Sequence, residues 1–94
     1  MLSQIPVNLE KIKKEDLDKE ILRAGIIAEL DAVNLYEQMA TMADSAAIKK
    51  ILLDVAKEEK THVGEFQALL LKEDGEQSEE LVKGGEEVKE KTKS

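Results

Sequence analysis

The chain of 94 residues contains no cysteine, and it has only one proline and one histidine. The absence of cysteine excludes disulfides, thiolate zinc sites, cysteine-ligated iron–sulfur clusters and cysteine nucleophiles. Any metal ion must therefore bind to oxygen and imidazole ligands. No apolar run approaches the roughly 20 residues of a membrane-spanning helix, and the N-terminus lacks a basic segment followed by an apolar stretch. We therefore expect a soluble cytoplasmic protein that does not bind membranes.

Basic residues are also scarce, since 21 Asp and Glu outnumber 14 Lys and Arg and leave a net charge of -7. Such a surface repels nucleic acid and anionic lipid and attracts small cations. Nucleic-acid binding is therefore disfavoured. A chain this short buries a small hydrophobic core, so we expect additional stabilisation from a metal ion or from partner subunits.

Proline is absent after Pro6, and the alanine- and leucine-rich stretches that follow predict two long helices. The first is predicted from about Lys14 to Ala43 and the second from about Ala46 to Leu71. Asp44 and Ser45 supply a break and a side-chain oxygen that can cap the second helix. So short a connection predicts an antiparallel hairpin.

The segments on either side of the hairpin are shorter and more polar. Residues 1–13 are predicted to form an extended or partly helical lead-in, and Gly75 is expected to close the second helix in the left-handed conformation. A short third helix is predicted from Ser78, as its N-cap, through about Lys83. Residues 84–94, which begin with two glycines, are expected to form a flexible charged tail. The predicted fold is thus all-α, with one domain over residues 14–83.

Each long helix has an apolar stripe that is interrupted by residues of the kind that bind metals. The first stripe has a spacing of four and three residues that is complete only when Glu29 is included with Leu22, Ile26, Val33, Tyr36, Ala40 and Ala43. Glu59 and His62 occupy the missing steps of the second stripe, whose apolar members are Ile48, Leu52, Val55, Phe66 and Leu69. Charged side chains are rare on a buried face unless they are paired or bind a metal. The Glu-x-x-His spacing places a carboxylate and an imidazole on one helix face, a ligand set that suits iron or manganese and also accepts zinc.

The chain carries half of a known two-metal ligand set. Four-helix bundles that bind two iron or manganese ions use one Glu from each of two helices and a Glu-x-x-His from each of the other two. This hairpin has one helix of each kind, and His62 is its only histidine. A twofold homodimer would complete both the bundle and the site. The alternative is a packed core histidine beside a Glu59 that belongs to an exposed charge run, but the agreement of all three stripe positions favours the metal site.

Two further residues near the predicted site have alternative interpretations. Tyr36 lies seven residues after Glu29 on the same face, so its hydroxyl could hydrogen-bond a ligand carboxylate or tune redox chemistry. A packed interface aromatic is an equal alternative. Asp31 and Glu58 lie off the stripe, where they could form an outer path for cations, and a solvated helix face is the favoured explanation for both.

The segments Ile27–Gln38 (IAELDAVNLYEQ) and Glu58–His62 (EEKTH) together strongly resemble the encapsulated ferritins, and the resemblance covers about residues 15–83. It implies a helical hairpin, a ferroxidase centre between two subunits, dimers that assemble into an annular decamer, and a surrounding shell of encapsulin. Carried over to this sequence, the centre falls on Glu29, Glu59 and His62 of two chains.

The resemblance also bears on residues outside this centre. It implies that Tyr36 lies beside the centre as a further catalytic residue. Asp31 matches one position of a site through which cations enter, but Ala28 stands where family members can carry another carboxylate. Such proteins reach the shell through an apolar C-terminal peptide or by fusion to the shell protein. The segment Glu86–Ser94 has no apolar signature of this kind, which favours a fragment of a fused protein or another targeting signal.

Three functions compete at this stage. The leading hypothesis is a ferroxidase that oxidises Fe²⁺ to Fe³⁺ with dioxygen for storage inside an encapsulin nanocompartment. The alternative is a non-catalytic cargo or assembly module, in which zinc, manganese or calcium only staples two hairpins together. A peroxide-reducing di-iron enzyme is less favoured, because the absence of cysteine removes the rubredoxin-type centre that rubrerythrins would use.

Overall fold

The structure, a computed structural model, describes residues 13–93 and contains no strand within them. Within these residues a 3-10 turn, Lys14–Asp16, leads into three α-helices: α1 (Leu17–Met42), α2 (Ala46–Glu73) and α3 (Gly75–Thr92). The predicted all-α, three-helix fold is therefore confirmed. The predicted lead-in at residues 1–13 lies outside the described residues, apart from Lys13. None of the helices within residues 13–93 is long and apolar enough to cross a membrane.

Helices α1 and α2 pack against each other as the predicted hairpin. The connection between them is short because Ser45 adopts an extended conformation and caps α2. Its hydroxyl oxygen accepts a hydrogen bond from the backbone amide of Ile48 at 3.3 Å, which satisfies one of the free amide groups of the first turn. The predicted helix break and N-cap are confirmed.

The seam between α1 and α2 is narrow, with four apolar residues buried: Val33, Ala40, Ala56 and Leu70. The two from α1 belong to the predicted stripe. The two from α2 lie one residue beyond Val55 and Leu69, but Leu52, Glu59 and Phe66 of the predicted stripe are half-buried. The predicted stripe of α2 therefore overlaps the seam in part. Because a two-helix layer covers only one side of each helix, large apolar side chains such as Leu30 and Ile51 stay exposed.

The close approach of the helices near the middle of the hairpin depends on a glycine. A Cβ atom at Gly25 of α1 would lie 3.2 Å from the ring of Phe66 on α2, which is closer than ordinary van der Waals contact. The absence of a side chain at Gly25 therefore lets the aromatic ring pack directly on the backbone of α1. Phe66 lies one turn beyond His62, so this contact supports the region where the predicted ligands lie.

Helix α3 is longer than predicted. We expected a helix only from Ser78 to Lys83 and a flexible tail over residues 84–94, whereas the helix continues to Thr92. Gly84 and Gly85 do not interrupt it, and both keep negative φ angles. A glycine inside a helix costs only about 1 kcal/mol relative to alanine, so two of them weaken a helix without ending it. None of the residues of α3 is buried.

The junction between α2 and α3 also differs from the prediction. Gly75 does not adopt a left-handed conformation but is the first residue of α3. The bend is made by Asp74, which has an extended backbone (φ -131°, ψ 90°) and caps both helices. Its carboxylate accepts a hydrogen bond from the amide of Gln77 at 3.0 Å. Asp74 therefore takes the capping role that we had assigned to Ser78, because an extended Asp just before the first turn is a strong N-cap.

Candidate metal centre

The hairpin brings the three predicted ligand residues together. Glu29 lies in the middle of α1, while Glu59 and His62 lie one turn apart on α2. The Nδ1 atom of His62 is 3.3 Å from Glu29 Oε2 and 3.4 Å from Glu59 Oε2. One donor atom from each residue lies within 4.8 Å of the other two. Glu29 and His62 are 33 residues apart in the sequence, and the antiparallel packing of α1 and α2 brings their side chains together.

The cluster holds two carboxylates in a partly shielded position. The side chains of Glu29 and Glu59 are 20% and 18% exposed, and that of His62 is 44% exposed. Within residues 13–93, the ion pairs of both carboxylates are with His62, and no Lys or Arg pairs with either of them. Two carboxylates near each other with no fixed cation favour the binding of a cation between them.

The spacing of these atoms suits a metal ion. Ligand atoms that lie about 2.1 Å from a common ion are separated by roughly 3 to 4 Å. The observed separations from His62 Nδ1 fall in this range, so an ion needs only small side-chain adjustments to bind. Carboxylate oxygen and imidazole nitrogen are the donors that iron, manganese and zinc accept in proteins. Binding through Nδ1 requires that this nitrogen carries no proton.

One chain offers only three donors, and they lie at the open side of the hairpin. Glu59 and His62 are half-buried, and neither is among the four fully buried residues of the seam. The imidazole is the most exposed of the three side chains. A second element could therefore approach the cluster from this side without disturbing the packing between α1 and α2.

The two other residues that we singled out lie further away. Tyr36 is half-buried on α1, two helical turns or about 10 Å beyond Glu29, and within residues 13–93 its hydroxyl forms no hydrogen bond with the three donors. Asp31 is half-buried but lies two residues after Glu29, which places it about 200° around the helix. It is not part of the cluster. The catalytic role of Tyr36 and the uptake role of Asp31 stay predictions.

An ion pair beside the cluster was not predicted. The Nζ atom of Lys60 on α2 lies 3.0 Å from Glu37 Oε2 on α1. Lys60 directly follows Glu59 and Glu37 directly follows Tyr36, so the pair links the two helices next to the ligand face. The opposite charges of these two residues were visible in the sequence, but their pairing depends on the relative register of α1 and α2.

Comparisons with known proteins agree with this geometry. A sequence profile of the rubrerythrin family matches residues 20–94. The chain belongs to the rubrerythrin family. The match includes the whole of α2 and α3 and all but the first three residues of α1, so both helices that carry the cluster lie within the matched region. Proteins of this family are generally di-iron proteins of the oxidoreductase type.

Two similar proteins come from Pyrococcus furiosus. The crystal structure of an encapsulated ferritin domain superimposes with a TM-score of 0.82 at 58% identity, covering 96% of this chain and 94% of that domain. A ferritin-like-encapsulin shell fusion protein is 60% identical over 95 residues, which is 98% of this chain. This rubrerythrin-family chain spans 27% of the length of the fusion protein. The predicted resemblance to the encapsulated ferritins is confirmed.

Proposed function

We propose that this chain is a ferroxidase, which takes Fe²⁺ as substrate and passes its electrons to dioxygen at a site shared by two subunits. The observation that carries the proposal is the convergence of Glu29, Glu59 and His62 into a half-set of ligands at the open side of the hairpin. The rubrerythrin family, whose members are generally di-iron proteins of the oxidoreductase type, supports iron as the metal.

The proposed site requires a homodimer. A chain with a single histidine cannot supply the two Glu-x-x-His motifs of a four-helix di-iron bundle. A twofold axis beside the exposed face of His62 would bring four carboxylates and two imidazoles together. The same arrangement would cover apolar side chains of the hairpin that are exposed in the single chain, including Ile48 and Leu69. Burial of such side chains provides a driving force for the association.

The ligands fit the two oxidation states of the substrate. Hard, anionic carboxylate oxygens stabilise Fe³⁺ more than Fe²⁺, so Glu29 and Glu59 favour loss of an electron from the bound ion. His62 adds a neutral donor that binds Fe²⁺ without further negative charge. The side chain of Tyr36, on the same face of α1 as Glu29, would lie beside the centre, where it could hydrogen-bond a ligand carboxylate.

The relatives support a destination for the ferric product. One is described as an encapsulated ferritin domain and the other as a fusion with an encapsulin shell. We propose that this chain likewise acts inside a cytoplasmic encapsulin nanocompartment, as annular decamers built from dimers. A hairpin of this size encloses no cavity for a mineral, so Fe³⁺ would accumulate in the surrounding shell.

A direct test measures the oxidation of Fe²⁺ and the metal-dependent assembly of the chain. Fe²⁺ added in air should give a rapid rise in ferric absorbance with the parent chain and not with Glu29→Ala. The matched control is Glu58→Ala, which removes an exposed carboxylate next to Glu59 and should keep the parent rate. Native mass measurement should show metal-bound dimers or their multiples for the parent chain.

Zinc separates the ferroxidase from the alternative of a metal-stapled assembly module. Zn²⁺ has no redox chemistry, so it should stabilise the dimer and inhibit the oxidation of Fe²⁺ by occupying the same ligands. A metal-bound dimer that never oxidises Fe²⁺ faster than Glu29→Ala would support the assembly module. Parent-like oxidation by Glu29→Ala would contradict the proposed site altogether.

A further inference from the structure

The bend between α2 and α3 consists of one residue. Helix α2 ends at Glu73 and α3 begins at Gly75, so Asp74 alone forms the bend. Its amide donates to the carbonyl of Leu70 at 2.9 Å, and its own carbonyl accepts from Ser78 at 3.2 Å. A Cβ atom at Gly75 would meet nothing within 4 Å. The first residue of α3 is therefore not held in place by side-chain packing.

Packing does little to select the observed direction of α3. The backbone of α3 approaches α2 but not α1 within the described residues, and none of its side chains is buried. An open groove of about 340 Å³ lies where the three helices meet, with walls that include Ile26, Leu70 and Leu81. Since the apolar walls of this groove leave it unfilled, they contribute few of the dispersion contacts that would fix α3 in place.

One side chain from α1 reaches the bend directly. Arg23 Nη2 lies 2.5 Å from Asp74 Oδ2, across 51 residues of sequence, while the other carboxylate oxygen of Asp74 accepts from the amide of Gln77. One carboxylate oxygen therefore contacts α1, and the other caps the first turn of α3. The carboxylate of Asp74 is 13% exposed, so water screens this pair less than it screens the exposed pairs Lys60–Glu37 and Lys83–Glu80.

We propose that Arg23 is a positioning residue for α3, and that its ion pair with Asp74 selects the direction in which α3 leaves the hairpin. The pair connects α1 to the junction between the end of α2 and the start of α3. Loss of the pair would leave the cap of α3 intact but would permit several directions about Asp74. This inference concerns the shape of the chain and does not depend on the proposed ferroxidase activity.

The absence of cysteine makes the test direct, because two introduced cysteines can be labelled without background. Nitroxide labels at Lys57→Cys on α2 and Lys89→Cys on α3 occupy exposed positions. Pulsed electron resonance on labelled full-length chain, diluted with unlabelled chain, measures the distance within one molecule. The parent should give one narrow distance distribution.

Variants at both ends of the pair give the decisive comparison. Arg23→Gln and Asp74→Asn should each broaden the distribution at least twofold, and Asp74→Asn does so while keeping an amide oxygen to cap α3. Arg23→Lys keeps the positive charge and should restore the narrow distribution in large part, which a purely steric role of Arg23 would not predict. Lys60→Gln, which breaks another ion pair between helices, should leave the distribution unchanged.

Circular dichroism distinguishes a change of direction from loss of structure. Both neutral variants should keep the helical signal of the parent. A narrow distribution at the parent distance in folded Arg23→Gln and Asp74→Asn would overturn the proposal, because packing alone would then select the direction of α3. Equal broadening in Lys60→Gln would also overturn it, since the effect would not be specific to the bend.

Discussion

The charged groups at the bend and in the middle of the hairpin both join helices of this chain, but they are built differently. At the bend, the carboxylate of Asp74 has a guanidinium on one oxygen and a backbone amide on the other. In the middle of the hairpin, Glu29 and Glu59 converge on a single imidazole, and within residues 13–93 neither pairs with Lys or Arg. The bend therefore satisfies its negative charge with fixed partners, whereas the cluster does not.

This difference separates a structural role from a functional one. Nearby carboxylates repel each other unless a cation or a proton lies between them, and we expect the cluster to destabilise the metal-free chain. Proteins keep such unfavourable arrangements mainly at functional sites. The Asp74 carboxylate, with a partner on each oxygen, stabilises the bend without any ligand. The contrast can be tested by changing each group and measuring activity, stability and acid sensitivity.

The largest expected effect is on catalysis. His62→Ala and Glu59→Ala should each lower the initial rate of Fe²⁺ oxidation by at least about 100-fold, because each removes one donor per ion from both subunits. Stopped-flow measurement of ferric absorbance checks this. Arg23→Gln serves as the matched control, since it breaks the charged pair at the bend and should keep the rate per bound metal within about twofold. A parent-like rate in His62→Ala would remove the functional distinction between the two groups.

The next effect concerns packing near the bend. Leu70 is 4% exposed, whereas Leu81 faces the same groove from α3 and is exposed. Leu70→Ala should lower the free energy of unfolding by about 2 kcal/mol, because it leaves a cavity in the seam. Leu81→Ala should lower it by less than about 0.5 kcal/mol. Urea unfolding of both variants measures the difference, and equal losses would show that α3 is packed as firmly as the hairpin.

A smaller effect of opposite sign is expected at the cluster without metal. Glu29→Gln keeps the size of the side chain but removes one of two neighbouring negative charges. The metal-free variant should therefore be more stable than the parent by about 0.5 to 1 kcal/mol. Thermal unfolding in the presence of a chelator checks this, with Asp74→Asn as the control that should lose stability. A destabilised Glu29→Gln would mean that the cluster satisfies its charges without an ion.

The smallest effect is an acid transition at the bend. The hydrogen bond from the amide of Gln77, together with the Arg23 and Lys19 charges, holds the pKa of Asp74 below its usual value of 3.8. Because the folded-state pKa is lowered, the contribution of the ionised carboxylate is fully present above the unfolded pKa and is lost as the pH falls through the folded one. The spin-label distance should therefore stay narrow down to about pH 4 and broaden only below it. Asp74→Asn should be broad throughout and show no such transition.

Much of the site could be predicted because it depends on helix periodicity. The positions of Glu29, Glu59 and His62 within two apolar stripes follow from a repeat of 3.6 residues, and one short connection folds the two stripes together. The register of the buried seam could not be predicted. At Ala56 and Leu70 it lies one residue further along α2 than the predicted stripe. Val55 and Ala56 are adjacent apolar residues, as are Leu69 and Leu70, and spacing alone does not decide which member of each pair is buried.

The C-terminal part was harder to predict for a different reason. We treated Gly75, Gly84 and Gly85 as helix ends, but the cost of a glycine in a helix is small enough for the flanking residues to offset. A capping signal was present, because Asp74 precedes Gln77 by three residues, as in a capping box. Ser78, followed by two glutamates, gave a competing signal of similar strength.

The sequence by itself determined the helical hairpin and singled out Glu29, Glu59 and His62 as candidate metal ligands, because composition and spacing fix which residues share a helix face. Tertiary structure alone decided where the seam lies and which charge pairs with Asp74. These features depend on contacts between residues far apart in the chain, such as Arg23 and Asp74, and local sequence preferences carry no information about such contacts.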